Sequence, residues 1–181
     1  MAEETMSVPV FKYHPDPVKT GAVVPTEEPC RCCGRSRGFA YKNDPYGLHS
    51  NLAGMLCPWC IWDGSAHEKF DVTFADDHAL ERAGLDRAVI EEVTERTPGF
   101  ETWQGEEWLS HCGDACAFLG DATKSDLSRF AEEKALVVGA DDWDEHGIRK
   151  LLAYYEPGGS PAFYRFACCH CGQILYAVDC D

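Results

Sequence analysis

The chain is poor in basic residues, has no long apolar run and lacks the short motifs of the common enzyme classes. Lys and Arg total 16 against 31 Asp and Glu, a formal charge of −15 at pH 7. Proteins that coat DNA or RNA carry the opposite balance, so the charge disfavours a general nucleic-acid binder. The apolar stretches Ala135–Ala140 and Ile174–Val178 are far below the ~20 residues of a membrane helix. The N-terminus has no basic segment followed by an apolar run, so the expected protein neither spans a membrane nor is exported, and resides in the cytoplasm. P-loop, G-x-S-x-G, H-E-x-x-H and G-x-G-x-x-G patterns are all missing, which removes the usual grounds for an NTPase, a serine hydrolase, a zincin or a dinucleotide enzyme. Low-complexity segments are absent as well. With 45% hydrophobic and 12% aromatic residues in 181, the chain can bury a core, and at roughly 150 residues per domain it reads as a single domain over 1–181.

What the sequence has in excess is cysteine, eleven in all. In a reducing compartment disulfides do not persist, and clustered cysteines point to metal or catalysis. Cys30-Arg-Cys-Cys33-Gly34 and Cys168-Cys-His-Cys171-Gly172 share the form C-x-x-C-G. In this zinc-knuckle turn both thiolates face one ion, and the glycine supplies a positive φ. Strand-like segments flank both: Gly38–Lys42 after the first, Phe163–Phe166 and Ile174–Val178 around the second. Cys57-Pro-Trp-Cys60 and Cys112-Gly-Asp-Ala-Cys116 read as the first turns of short helices, where free N–H groups stabilise thiolate. A knuckle with a helix-start pair makes four ligands, the closed tetrahedral set of a structural zinc site. The expectation is two zinc ions: one on Cys30, Cys33, Cys57 and Cys60, the other on Cys112, Cys116, Cys168 and Cys171. His111 or His170 could replace a sulfur in the second. Cys32, Cys169 and Cys180 are left as packing residues or free thiols. Redox catalysis at Cys57-Pro-Trp-Cys60 is the competing reading. It would want a strand before the motif and a long helix after it, whereas Gly54 and Gly64 interrupt both sides.

Between the knuckles the pattern predicts helices over 86–97, 126–138 and 144–155, capped by Asp86 and Ser125 and stopped by Pro98-Gly99 and Pro157-Gly-Gly. The expected fold is therefore α+β. It has a frayed 1–9, a first knuckle region over 28–64, a mainly helical 78–155 and a second knuckle hairpin over 161–181. Val10–Tyr13 reads as a short strand broken at Pro15 and Pro17, with His14 and Asp16 ordering a turn rather than forming a catalytic pair. Trp103 and Trp108 read as an apolar roof on the second site, with an exposed binding surface as the alternative. The carboxylate and histidine clusters at Asp71, Asp76, Asp77 and His78, and at Asp141, Asp142, Asp144, Glu145 and His146, read as solvated surface in so acidic a chain.

Several segments in order resemble the CbrC family of bacterial proteins. They are Phe11–Pro17, the first knuckle, Cys57-Pro-Trp-Cys-Ile61 with Asp63-Gly64, Lys69–Asp71, Thr97–Phe100, Trp103-Gln104, Trp108-Leu109, His111–Asp114, Cys116–Phe118 and His170–Gly172. The resemblance implies a bacterial cytoplasmic protein with paired cysteine motifs and, from the family's association with colicin tolerance, a part in surviving protein toxins. Together with the charge it gives the leading expectation, a non-enzymatic zinc protein whose acidic face binds a basic protein partner such as a toxin domain. The alternatives are a zinc- or thiol-dependent enzyme and a zinc-stabilised adaptor module.

Overall fold

The computed structural model describes residues 7–48, 51–102, 105–129, 135–138 and 153–179. The chain, read from its sequence as one domain, groups into two compact units, 1–76 with 91–101 and 77–90 with 102–181. Both α and β elements are present, but the helices among the described residues are few and short.

The first unit has little regular structure. Strands β1 (Val23–Pro25) and β2 (Phe39–Tyr41) form an antiparallel ribbon, followed by helices α1 (Pro58–Trp62) and α2 (Ser65–Phe70). Pro58 occupies the first turn of α1, where a missing N–H costs nothing. Its core joins Phe11, Tyr41, Leu52, Leu56, Ile61, Val72 and Phe74 to the sulfurs of Cys30, Cys57 and Cys60, with Val8 packed against it. The Tyr41 and Phe74 rings meet edge to face at 5.4 Å. No strand forms over 10–13; Phe11 and Tyr13 are anchored by burial instead.

His14 orders the following turn, as its position before the prolines predicts. Fully buried, it lies 2.7 Å from the Pro98 carbonyl through Nδ1 and 2.7 Å from Thr20 Oγ1 through Nε2. A neutral ring satisfies both contacts, with Nδ1–H donating to the carbonyl and Nε2 accepting from the hydroxyl. Burial lowers its pKa to about 4, outweighing the Pro98 hydrogen bond and the Asp16 charge. Between that value and 6.5 the folded chain binds fewer protons here than the unfolded chain, so stability rises with pH. The contribution is fully present above pH 6.5 and is lost as pH falls toward 4, by up to ~3 kcal/mol. Denaturant unfolding of wild type and His14→Gln at the two ends of this window measures it. An equal pH dependence in both proteins would remove the assignment.

The second unit holds a curled five-stranded sheet in the order β3-β4-β6-β7-β5. Strands β3 (Ser110–His111), β4 (Asp114–Asp121), β6 (Ala162–Cys168) and β7 (Ile174–Asp179) pair antiparallel, and β5 (Leu136–Val138) joins β7 in parallel. Trp108, Phe118, Phe166 and Tyr164 stack on one another with ring centroids 5.3–6.5 Å apart. Tyr155, Phe163, Tyr176 and Ala122 form a further buried cluster. Helix α3 (His78–Arg82) belongs to this unit, and α4 (Arg87–Arg96) starts in it and ends in the first unit.

Helix α4 matches the expected 86–97. The mainly helical 78–155 does not stand, because 110–121 is a hairpin strand and 136–138 a parallel strand. Instead of a helix over 126–138, α5 (Lys124–Ser128) is one turn long and capped by Thr123 rather than Ser125. Thr123 and Asp126 exchange side-chain-to-backbone bonds in a capping box, which favours starting the helix two residues earlier. Most of the helix expected over 144–155, with Asp141, Asp142, Asp144, Glu145 and His146, lies outside the described residues, as do Trp103, Gln104 and Cys180.

Candidate metal centres

The two C-x-x-C-G segments fold into the same turn. Cys30 N–H donates to the Arg35 carbonyl and Gly34 N–H to that of Cys30; Cys168 and Gly172 repeat both bonds, to Gln173 and Cys168. Gly34 and Gly172 both have φ 71°, a left-handed value that a side chain would strain. In each turn the second residue after the first cysteine points its N–H at that cysteine's Sγ, Cys32 onto Cys30 and His170 onto Cys168, at 3.4 Å in both. The turns converge two sulfurs and supply N–H groups that favour thiolate.

In the first unit Cys57 is the N-cap of α1 and Cys60 lies one turn on, so the helix presents both sulfurs to the turn at 30–34. The Sγ separations are 4.0 Å for Cys30–Cys60, 3.9 Å for Cys33–Cys57 and 3.6 Å for Cys57–Cys60. A tetrahedron of sulfurs ~2.3 Å from a zinc ion has edges of ~3.8 Å, whereas a disulfide is ~2.05 Å long. Cys30, Cys33, Cys57 and Cys60 are all free thiols and form a group that could hold a metal ion. Cys57 N–H donates to Cys30 Sγ at 3.2 Å, and Lys69 Nζ ties α2 to the turn through the carbonyls of Arg31 and Cys32.

The second unit assembles its group differently from the expectation. Cys112-Gly113 is not a helix start but the two-residue loop of the β3–β4 hairpin, with φ 55° and 73° as a type I′ turn requires. The tip carries His111 and Cys112 to the turn at 168–172. Cys112 Sγ lies 3.8 Å from Cys171 Sγ, and His111 Nδ1 lies 3.2 Å from Cys112 Sγ and 3.4 Å from Cys171 Sγ. These four residues, His111, Cys112, Cys168 and Cys171, form the second group that could hold an ion. Cys116 is outside it. Two residues into β4, it is fully buried in the sheet as the register partner of Cys168, and its carbonyl accepts from Trp108 Nε1 at 2.9 Å. Outside the ligand set, His170 Nε2 meets the buried carboxylate of Asp114 at 2.9 Å and clamps the knuckle turn to the hairpin. In the sequence Asp114 was marked only as the end of the segment His111–Asp114 that resembles CbrC proteins, with no role attached.

The model of an uncharacterised protein family, UPF0167, matches residues 8–180. The chain belongs to that family. It is 44% identical to the UPF0167 protein of Pseudomonas aeruginosa over 95% of this chain and 97% of that one. UPF0167 proteins of Mycobacterium bovis and Mycobacterium tuberculosis are each 38% identical over 98% of this chain and 97% of theirs. No solved structure matches it. The motif resemblance to CbrC proteins is thus met at the level of UPF0167, a membership that brings neither a toxin nor a partner. The UPF0167 match spans all eight residues of the two groups.

The electrostatics of the groups suit a cation. The hydrogen bond from the Cys57 thiol, joined by backbone N–H groups against the opposing effect of burial, pulls Cys30 down to about 4. The same contact pushes Cys57 well up, and burial pushes Cys60 up to about 12. At Cys168 burial acts upward, but the N–H groups of Cys171 and His170 prevail and hold it at about 6. Contact with Cys171 pushes Cys112 up to about 11. Each group thus offers one ready thiolate beside thiols whose protons a divalent cation would displace. Burial pushes Cys116 up to about 12, as befits a packed thiol rather than a ligand.

The remaining candidates fall into place as packing or surface. Trp108 is buried in the aromatic stack, not exposed for binding. Asp71 ends α2 and Asp77 precedes α3 without a side-chain capping bond; no metal group includes them, Asp76 or His78 among the described residues. Cys32 is half-buried with Sγ 3.6 Å from Ser65 Oγ, and Cys169 is exposed. Helix α1 is five residues long and follows a turn, unlike the strand and long helix around a thioredoxin-like motif. No helix among the described residues is long and apolar enough to cross a membrane.

Proposed function

We propose that this UPF0167 protein is a non-enzymatic zinc protein, with one ion on Cys30, Cys33, Cys57 and Cys60 and another on His111, Cys112, Cys168 and Cys171, and that its acidic surface serves to engage a basic protein partner. The observation that carries the zinc reading is the sulfur spacing of 3.6–4.0 Å, the edge length of a thiolate tetrahedron around that ion. All-thiolate and thiolate-imidazole donors favour zinc over the hard cations, which take oxygen. Four protein donors leave no open position for substrate, which favours a structural role over hydrolysis. Four thiolates around Zn²⁺ leave −2 and three leave −1, so two loaded centres take the formal charge from −15 to −18. That charge favours fast encounter with a cationic surface, and a basic toxin domain is the partner class that the CbrC resemblance implies.

Elemental analysis of protein purified without chelator tests the reading, with two zinc ions per chain expected. Zinc-free protein that still folds, or a chain loaded with iron in place of zinc, would end it. A captured basic partner should associate more slowly as salt rises, because the Debye length shrinks from about 10 Å at 0.1 M to about 3 Å at 1 M.

A further inference from the structure

The two centres are built into their units in opposite ways, and the difference bears on how each holds its ion. In the first, Cys30, Cys57 and Cys60 are 5%, 2% and 3% exposed and belong to the hydrophobic core itself, and Cys33 is the one exposed member of the group. The segments that bring them together are two three-residue strands and two helices of five and six residues. Helices that short are not stable alone, so beyond the turn at 30–34 the ligands are held in place mainly by the ion and the core side chains around it. In the second, Cys112 and Cys171 are exposed, His111 is half-buried and only Cys168 is covered. The group sits at the tips of a type I′ hairpin and a hydrogen-bonded turn, and both tips grow out of a sheet with its own ladders and aromatic core. The His170–Asp114 clamp joins the tips without using a ligand. One imidazole replaces a thiolate, which lowers the negative charge that retains the cation.

We infer that the second centre is an exchangeable metal site, loaded and unloaded by competing thiol or chelating ligands while its sheet remains folded, whereas the first is a permanent one. Solvent reaches two of the second centre's thiolates, against Cys33 alone in the first, so an incoming ligand can attack the second ion stepwise, displacing Cys112 or Cys171 in turn while the core-embedded sulfurs of the first keep their hold. No bond in the sheet has to break for this. A site of that kind reports or buffers mobile zinc: its occupancy changes the charge and stiffness of the exposed hairpin tip without changing the fold. The inference rests on both groups being zinc centres, and the ion count before any challenge tests that separately.

The experiment challenges the loaded full chain with the chromogenic chelator 4-(2-pyridylazo)resorcinol and follows zinc release alongside hydrogen exchange. The expected result is two release phases of one ion each, roughly 10- to 100-fold apart in rate, the span that differences in ligand support make at such sites. Across the fast phase the amides of β4 and β6 should keep their protection, and added zinc should reverse it. In Cys112→Ser only the slow phase should remain. Two ions leaving at one rate, β4 and β6 losing protection with the fast phase, or a fast phase that survives in Cys112→Ser would each overturn the inference. Fewer than two ions at the outset would instead count against the zinc reading on which it stands.

Discussion

Cys57→Ala is expected to empty the first centre and unfold the unit built around it. In small zinc modules the binding energy of the ion, of order 10 kcal/mol, is also folding energy, because the ligands do not converge without it. The first unit meets that description: its longest wholly internal helix has six residues, and the sulfurs of Cys30, Cys57 and Cys60 are part of its core. Removing Cys57 leaves three sulfurs, too few to close the tetrahedral set, and takes away the hydrogen bond that favours thiolate at Cys30. Zinc content should fall from two ions per chain to one. Amide protection should vanish over 39–41 and 58–70 while β6 and β7 retain theirs. Cys32→Ser serves as the control, since its half-buried side chain belongs to neither group and its loss should cost about 1 kcal/mol or less. A Cys57→Ala protein that keeps both ions, or keeps protection in α1 and α2, would refute the assignment.

The second large effect separates His111 from Cys116. His111→Ala removes a donor whose Nδ1 lies 3.2 and 3.4 Å from two of the sulfurs, and the second ion should be lost from purified protein. Cys116→Ala should keep both ions. It removes a buried thiol from the sheet, at a cost of ~1–2 kcal/mol for the small cavity it leaves. Metal analysis of the two variants and a denaturant titration of Cys116→Ala measure both effects. Loss of the ion from Cys116→Ala with retention in His111→Ala would restore the all-cysteine set of Cys112, Cys116, Cys168 and Cys171.

These two predictions differ in how far the sequence alone supports them. The first group reads directly from spacing because its parts are local. The turn at Cys30–Gly34 closes through hydrogen bonds spanning six residues, and Cys57 to Cys60 is one helical turn started by Pro58. The same locality made the turn at Cys168–Gly172, helix α4 and strands β2, β6 and β7 legible. The second group misled for a physical reason. Cys112 and Cys116 have a spacing that suits one face of a helix, and the local pattern does not say whether Cys112-Gly113 opens a helix or closes a hairpin. Pairing of β4 with β6, about fifty residues away in sequence, settles the question. Once 114–121 is a strand, Cys116 is committed to a buried position in the sheet beside Cys168, and the donor at the tip becomes His111. Strand β5 is a similar case. Leu136–Val138 is as consistent with the end of a helix as with a strand, and only the parallel edge offered by β7 selects the extended form.

By itself the sequence pointed to two groups that could hold a metal, to seven of the eight residues that converge in them and to the acidic balance of the chain, because turns, caps and charge are properties of short segments or of composition. Tertiary structure alone decided the eighth residue, the division into two units with one centre each, and which centre lies in a core and which at an exposed tip. Those depend on long-range strand pairing and burial, which residues distant in the chain settle only when they meet.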